Sequence, residues 1–578
     1  MKLLMQKKDI FKISLFIVFV LTAAAAVFGF TADADAAVLI DNGDFIYEVL
    51  SDGTGAALKS YKGEKNFVSL PEMVEDYPVT EIAPCAFMGN TSVKEVEISD
   101  SVRKIDANAF TECTSLQKIQ IPGNVTEIGD SAFTGCQALA SLTIYDGTSK
   151  IGRYAFAGCT SLKEIILPNS FDEIGDYAFF NCSSLEKINL PRSLKTLGGY
   201  ALEGTKWMKN QKSDFVIVGD GILIKYNSDD KAKSLSDDIK VIGKFAFAEN
   251  KNITTILLPR TVTKIESSAF ENCRSLEIVT IPDSVTEIGK RAFFGCTKLD
   301  NVNLSASLAK IDERVFSGCK NLHEITIPQS IITISPYAFE NCEGMQNISF
   351  MSGLREIGSD AFSNCKNIRR MVFPTTLKKL NTRAFVGCTS LTRVEFNSSP
   401  QVKASAFSEC PNITEAVFYI NVSKLEDKIF NGCTELTIYS DNNYYLAEYA
   451  ERNKVENDNL KNLPDYEDKG MLKEKEKNDN FGFSGAYTFI TVLIIIIDIG
   501  LVVLFSVYII LAMPTGRHTR ERQSAFAKGK YSSRQGQRPV VRPSASGTRH
   551  TPERRRPTPS ASSRRTSDTN GNSRKRIK

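Results

Sequence analysis

From Phe87 to Phe430 a phenylalanine returns with a period of 23 residues, at Phe87, Phe110, Phe133, Phe156 and Phe179, then at Phe247, Phe270, Phe293, Phe316, Phe339, Phe362, Phe385, Phe407 and Phe430. Leu202 holds the same place between the two runs; the step to Phe407 is 22, and the step from Leu202 to Phe247 is 45, one period plus an insertion. No other feature limits the fold so strongly. A unit of this length cannot bury its own Leu, Ile and Phe, so neighbouring units must stack and share a continuous core.

Around each phenylalanine runs the block A-F-x-x-C-x-x-L, followed by an alternating stretch and then I-P-x-S-V-T-x-I. Alternation at Lys118-Ile119-Gln120-Ile121 and Glu324-Ile325-Thr326-Ile327 predicts strands, each stopped by Pro122 or Pro328, which cannot donate to a ladder. Val125-Thr126-Glu127-Ile128 predicts a second short extended segment, and the Ala-Phe pair a tight turn or short helix. These readings give an α/β-type repeat solenoid, a leucine-rich repeat array of about 15 coils in two blocks, 81–202 and 242–440. Bare terminal coils need covers. Residues 37–80 contain two extended runs around a Gly turn and read as an N-terminal cap, and residues 441–453 as a C-terminal cap helix. The insertion, 203–241, carries Phe215-Val216-Ile217-Val218, a Gly-Asp-Gly turn and Ile222-Leu223-Ile224-Lys225-Tyr226, a hairpin pattern that repeats the N-terminal theme, with Trp207 beside it.

The recurring blocks resemble the BspA-like (TpLRR-type) leucine-rich repeat family of bacterial surface proteins, over roughly residues 40–440. That resemblance implies a curved solenoid used for surface attachment, with some relatives linked to host or matrix proteins. It assigns no residue to a reaction.

Charge is divided along the chain. Residues 514–578 hold 18 Lys and Arg against 3 Asp and Glu, a net of +15, whereas the whole chain carries only +4. Residues 1–36 have a lysine-bearing start, an apolar run over 13–30 and small-residue sites at Ala32-Asp33-Ala34 and Ala34-Asp35-Ala36, the layout of a secretory signal peptide, with an uncleaved anchor as the alternative. Residues 487–513 are apolar except for Asp498 and long enough to span a bilayer. Arg517, Arg520 and Arg522 follow at once, so the positive-inside rule places the tail in the cytoplasm and the array outside. Asp498 either faces a partner helix or is tolerated in an otherwise apolar run. Polar residues 454–484 read as an extracellular stalk, and Leu463-Pro464-Asp465-Tyr466-Glu467 within it lacks the Thr-Gly of a sortase signal. The Arg, Ser and Pro of 514–578 cannot build a core and read as a disordered tail whose charge suits anionic lipid or nucleic acid.

Thirteen cysteines in a secreted chain would ordinarily point to disulfides, but twelve of them, from Cys113 to Cys433, occupy one repeat position that is Asn90, Thr205 or Asn250 in other coils. That tolerance predicts inward free thiols bonded to turn backbone, with Cys85 off the series. Of three histidines only His323 lies in the array, too few for acid-base chemistry, so the chain reads as a non-enzyme without cofactor or metal. The open strand face is the natural contact surface of a solenoid. Its irregular positions in the second block, Met351, Arg370, Arg393 and Tyr419, form the candidate ligand patch, for an extracellular protein or polysaccharide. Two functions follow: a membrane-anchored adhesion or binding module, or a transmembrane scaffold or sensor coupling outside binding to the basic tail.

Overall fold

Strand alternation sets the frame. In a computed structural model that describes residues 38–422 and 425–465, Ile119 and Ile121 point inward from the strand Lys118–Ile121 while Lys118 and Gln120 point out. Each coil adds one such strand and a second, two-residue strand such as Glu127–Ile128, and both pair in parallel, in register, with the equivalent strand one coil on. The result is a β-solenoid of about 17 turns, mostly strand and turn. Two departures from expectation follow. The count rises above 15 because the second strands of two hairpins, Ala56–Tyr61 and Ile222–Tyr226, each supply a turn without the Ala-Phe block. The return segment is not helical either. Residues two before and two after each phenylalanine are left-handed, as at Asn108 (φ 60°) and Glu112 (φ 58°) around Phe110, and two such residues so close together forbid a helix.

Stacking in register places like on like. Phe110, Phe133, Phe156 and Phe179 pack with ring centroids 5.0–5.4 Å apart and planes within 5°. Backbone holds the spacing: Phe110 N–H donates to Ala132 C=O at 2.7 Å, and Phe133 N–H to Ala155 C=O at 2.7 Å. The cysteine thiols cross-tie the coils as the sequence predicts. Cys113 Sγ donates to the Phe87 carbonyl at 3.0 Å, Cys136 to Phe110 at 3.2 Å, and the series continues to Cys433. Where Asn replaces Cys, the side chain serves the turn differently, Asn90 Oδ1 accepting from Ser92 and Val93 N–H. All thirteen thiols are free. Cys85 is exposed and occupies the left-handed position before Phe87 (φ 64°), where Asn108 and Ser131 stand in the next coils.

The insertion is a second N-terminal cap built into the array. At the start of the chain, Phe45–Val49 and Ala56–Tyr61 form an antiparallel hairpin with a register shift, and Tyr61 starts the ring stack beneath Phe87 at 5.0 Å. Within the insertion, Phe215–Val218 and Ile222–Tyr226 do the same, with their own register shift, and Tyr226 lies 4.9 Å from Phe247. The turn-to-turn hydrogen bonds run up to Asn181 N–H on Glu203 C=O and resume at Tyr226 N–H on Ala246 C=O. Two cores result. Ile222 belongs to the first and its neighbour Leu223 to the second, so adjacent residues of one strand serve opposite cores. Surface contacts bridge the break: the stack Tyr154, Tyr177, Tyr200, Phe245 at 4.7, 5.4 and 4.5 Å, and Lys244 Nζ to Asp176 Oδ1 at 2.8 Å. Trp207, on the short helix Lys206–Asn210, packs against the first core.

At the other end, the strand Thr437–Ser440 leads to the helix Tyr444–Asn453, whose Leu446, Tyr449 and Ala450 close the second core. The stalk does not begin at 454. After left-handed Lys454, Glu456–Asn459 pairs in parallel with Thr437–Ser440, and Leu460 and Leu463 are buried. Polar Glu-Asn-Asp-Asn hid this strand, because it lies at a sheet edge and needs no apolar face. The signal segment 1–36, the rest of the stalk 466–484, the span 487–513 and the tail 514–578 lie outside the described residues. Among the described residues no helix is long and apolar enough to cross a membrane.

Burial pushes the thiols of Cys113, Cys273 and Cys433 up to about 12 and raises those of Cys136, Cys159, Cys296, Cys319, Cys342, Cys365 and Cys388 as well, and the whole series from Cys113 to Cys433 is buried away from solvent reagents. Titration with a thiol reagent is therefore expected to count one cysteine, Cys85, in the native chain and thirteen after denaturation. A lower denatured count would reveal disulfides. Because the cores are separate, Phe293→Ala, a truncation costing about 3–5 kcal/mol, is expected to speed amide exchange across the second core and leave the first near its original protection. Equal loosening of both would mean a single core.

Candidate ligand-binding face

The solenoid presents two strand ladders that differ in character. On the two-residue ladder outward side chains alternate in charge, Lys104, Glu127, Lys150, Glu173, and pair along the column, Lys150 Nζ lying 3.1 Å from Glu127 and 4.0 Å from Glu173. Exposed pairs of this kind add little stability, but they leave the ladder self-neutralised. On the long-strand ladder of the second block the outward residues are Thr255, Leu257, Ile278, Thr280, Asn301, Asn303, Glu324, Thr326, Asn347 and Ser349, with one charge among them. Leu257 and Ile278 are about half exposed. His323, at its margin, pairs with Asp300 of the preceding coil, Nδ1 to Oδ1 2.5 Å.

Alternation then fails. Along Arg393–Phe396 and Glu415–Phe418 both inward and outward residues are buried, Glu395 to 1 % and Val417 to 0 %. What covers the outer side is the chain itself: residues 460–465 return across these strands, and Leu460 and Leu463 pack on Val417, Tyr419 and Tyr439 in a small cluster apart from the two main cores. Beside it, Arg370 Nε donates to Glu395 Oε1 at 2.5 Å and the Tyr419 hydroxyl to Glu395 Oε2 at 3.2 Å. Arg393 lies between three acids, its Nε 3.0 Å from Glu395 but off the hydrogen-bonding direction, its guanidinium 3.1 Å from Glu415, and donating to Asp465 at 2.6 Å. The bond from Arg393 holds the Asp465 carboxyl below its usual range, while burial raises the Tyr419 phenol.

Three of the four residues predicted as a ligand patch are thus brought together, Arg370, Arg393 and Tyr419, and they meet at Glu395. Met351 is not; it follows the strand Asn347–Phe350 two coils away from Arg393 and is about half exposed. In the structure residues 460–465 lie against Arg393 and Tyr419. Sequence reasoning missed Glu395, Val417, Leu463 and Asp465. The available signal was Leu460-x-x-Leu463-Pro464, two aliphatic residues in an otherwise polar stretch.

The repeat geometry agrees with a match to the family model described as BspA type leucine rich repeat region (6 copies), over residues 80–209, 226–342 and 309–437, more than half of the chain. The chain belongs to the BspA-type leucine-rich repeat family. The matched segments flank the internal hairpin, which is where the BspA-type repeat itself is interrupted. Solved structures similar to this chain include a leucine-rich repeat protein from Bacteroides ovatus, 25% identical, covering 75% of this chain and 100% of that one with a TM-score of 0.35. A leucine rich cell surface protein from Faecalibacterium prausnitzii is 24% identical, covering 63% and 96% with a TM-score of 0.31. A leucine-rich repeat protein from Eubacterium ventriosum is 22% identical, covering 66% and 96% with a TM-score of 0.38. No functionally curated protein matches.

Removing the Glu395 carboxyl leaves Arg370 and Arg393 facing each other, so Glu395→Ala is expected to cost about 2–3 kcal/mol, less than a fully buried pair because Arg370 stays half in water. Urea unfolding measures this, and a loss below a few tenths would show the cluster to be ornamental to stability. Asp465 gives a pH signature. Its folded value is depressed, so its contribution is complete above the unfolded value of about 3.9 and is lost as pH falls through the lower folded one. Residues 456–465 are expected to gain protease sensitivity on acidification below about pH 4, and Asp465→Asn to remove that dependence.

Proposed function

We propose that this chain is a membrane-anchored surface protein that displays its BspA-type array to bind other macromolecules, with the array outside, a span at 487–513 and the basic tail 514–578 inside. The observation carrying the binding role is the long-strand face of the second block. Its outward Thr, Asn and Ser columns, with Leu257 and Ile278 among them, hold one charge between Thr255 and Ser349, whereas the opposite ladder neutralises itself with Lys and Glu. Low charge with scattered exposed aliphatic residues is the composition of an interface core. The face runs on to Met351 and Val372, both exposed, and stops where residues 460–465 cover Arg393 and Tyr419. The anchoring half of the reading rests on the sequence: a signal-like start, an apolar stretch of spanning length and an arginine cluster directly after it.

Both halves are testable on the full chain in intact cells. Capture of candidate envelope and matrix components is expected to fall at least about tenfold, some 1.4 kcal/mol, when charges are placed on the face by Thr280→Arg with Thr326→Arg, at an unchanged melting temperature. Undiminished capture would move the binding site elsewhere. Protease added outside the cells is expected to remove an epitope in the array and spare one in the tail; the reverse pattern would sink the topology.

A further inference from the structure

Residues 460–465 cover a surface that lies outside the two main cores. The helix Tyr444–Asn453 already closes the second core through Leu446, Tyr449 and Ala450, whereas Leu460 and Leu463 belong to the separate outer cluster with Val417, Tyr419 and Tyr439. Ala416 and Phe418, the neighbours of Val417, face inward and remain in the main core. The returning segment is held along one edge by the pairing of Glu456–Asn459 with Thr437–Ser440. Its far end is held by one ion pair, Asp465 to Arg393, in which the Asp465 side chain is 57% exposed. Two leucines three residues apart, a proline and an acid, lying against two tyrosines, a valine and an arginine, have the chemistry of a short peptide seated in a recognition site.

We propose that the outer face formed by Val417, Tyr419, Tyr439 and Arg393 is a docking site for a short leucine-bearing acidic peptide segment of a partner protein, and that residues 460–465 occupy it in cis until such a segment displaces them. The proposal rests on the reading of the array as a binding module, and it adds a second site to that reading, distinct from the neutral face. The leucines supply affinity through apolar contact, and the acid supplies orientation through Arg393, which already faces Glu395 and Glu415 and so accepts a third carboxylate only at the position Asp465 takes. Arg370, 55% exposed at the rim and bonded to Glu395, offers a second basic group to a longer acidic ligand.

The probe is a fluorescent peptide with the sequence of residues 456–465, titrated against the purified full chain. Wild type is expected to bind it weakly, and a variant with Leu460→Ala, Leu463→Ala and Asp465→Ala at least about ten times more tightly, since the site then stands open. Adding Arg393→Ala to that variant is expected to abolish the gain, as are a peptide with both leucines changed to serine and one with its terminal acid changed to lysine. Hydrogen exchange supplies a readout independent of the variants: in wild type, residues 456–465 are expected to open more readily than Thr437–Ser440. The proposal is overturned if the opened variant, with its array melting as in wild type, takes the peptide no better than wild type does. Equal protection of both segments would also overturn it, by making 460–465 a fixed cap. A wild-type dimer that the peptide dissociates would assign the site to a second copy instead. Capture by the neutral face is read in a separate assay with the Thr280 and Thr326 substitutions, so either site can fail alone.

Discussion

Each coil is tied to the next by groups that lie at the same place in both. The Phe N–H reaches the alanine carbonyl of the following coil, and the cysteine thiol reaches the phenylalanine carbonyl of the preceding one. These bonds fix the coil-to-coil distance near the strand spacing of about 4.8 Å, and at that spacing rings can stack only with their planes nearly parallel. The phenylalanine column, the buried thiols and the two left-handed residues of each turn are therefore one arrangement. A thiol suits it because it is small, buries cheaply and donates weakly to a carbonyl that already accepts elsewhere.

The same stacking creates a problem wherever it stops. A coil without a predecessor leaves a ring face and a row of backbone groups open. The chain solves this identically at two points, with an antiparallel hairpin whose second strand carries a tyrosine onto the first phenylalanine of the run, Tyr61 onto Phe87 and Tyr226 onto Phe247. At the C-terminal end, where a coil lacks a successor, the solution is the helix Tyr444–Asn453, with Tyr449 edge-on to Phe430 at 6.4 Å. At Tyr61 and Tyr449 the ring joins the apolar column while the hydroxyl accepts a backbone N–H, from Lys65 at 3.2 Å and from Phe430 at 3.4 Å.

Much of this was legible in the sequence because repetition averages out local ambiguity. The 23-residue period gave the strands at Lys118–Ile121 and Glu324–Ile327, the hairpin at Phe215–Val218 and Ile222–Tyr226, and the inward thiols. What failed is informative. The Ala-Phe segment was open between turn and helix because its pattern does not reveal φ, and left-handed residues such as Glu112 and Tyr154 carry no glycine to announce them. The strand Glu456–Asn459 was invisible because its four polar residues show no apolar alternation, the ladder with Thr437–Ser440 needing none at a sheet edge. The candidate patch was located by its irregularity at Arg370, Arg393 and Tyr419, but composition could not tell that the irregular residues answer a segment of the same chain some seventy positions later, Arg393 meeting Asp465.

The internal hairpin also bears on how such a chain can change over generations. An array with one starting cap and one closing helix is a single string, and every coil gained or lost shifts whatever lies beyond it. Here the second block opens with its own cap, whose Val218 and Ile222 pack on the end of the first core, and Tyr200, Phe245, Lys244 and Asp176 add surface contacts across the break. Duplication or deletion of whole coils within either block preserves the frame of both. The two binding surfaces proposed above lie in the second block, so the first is free to lengthen or shorten as a spacer.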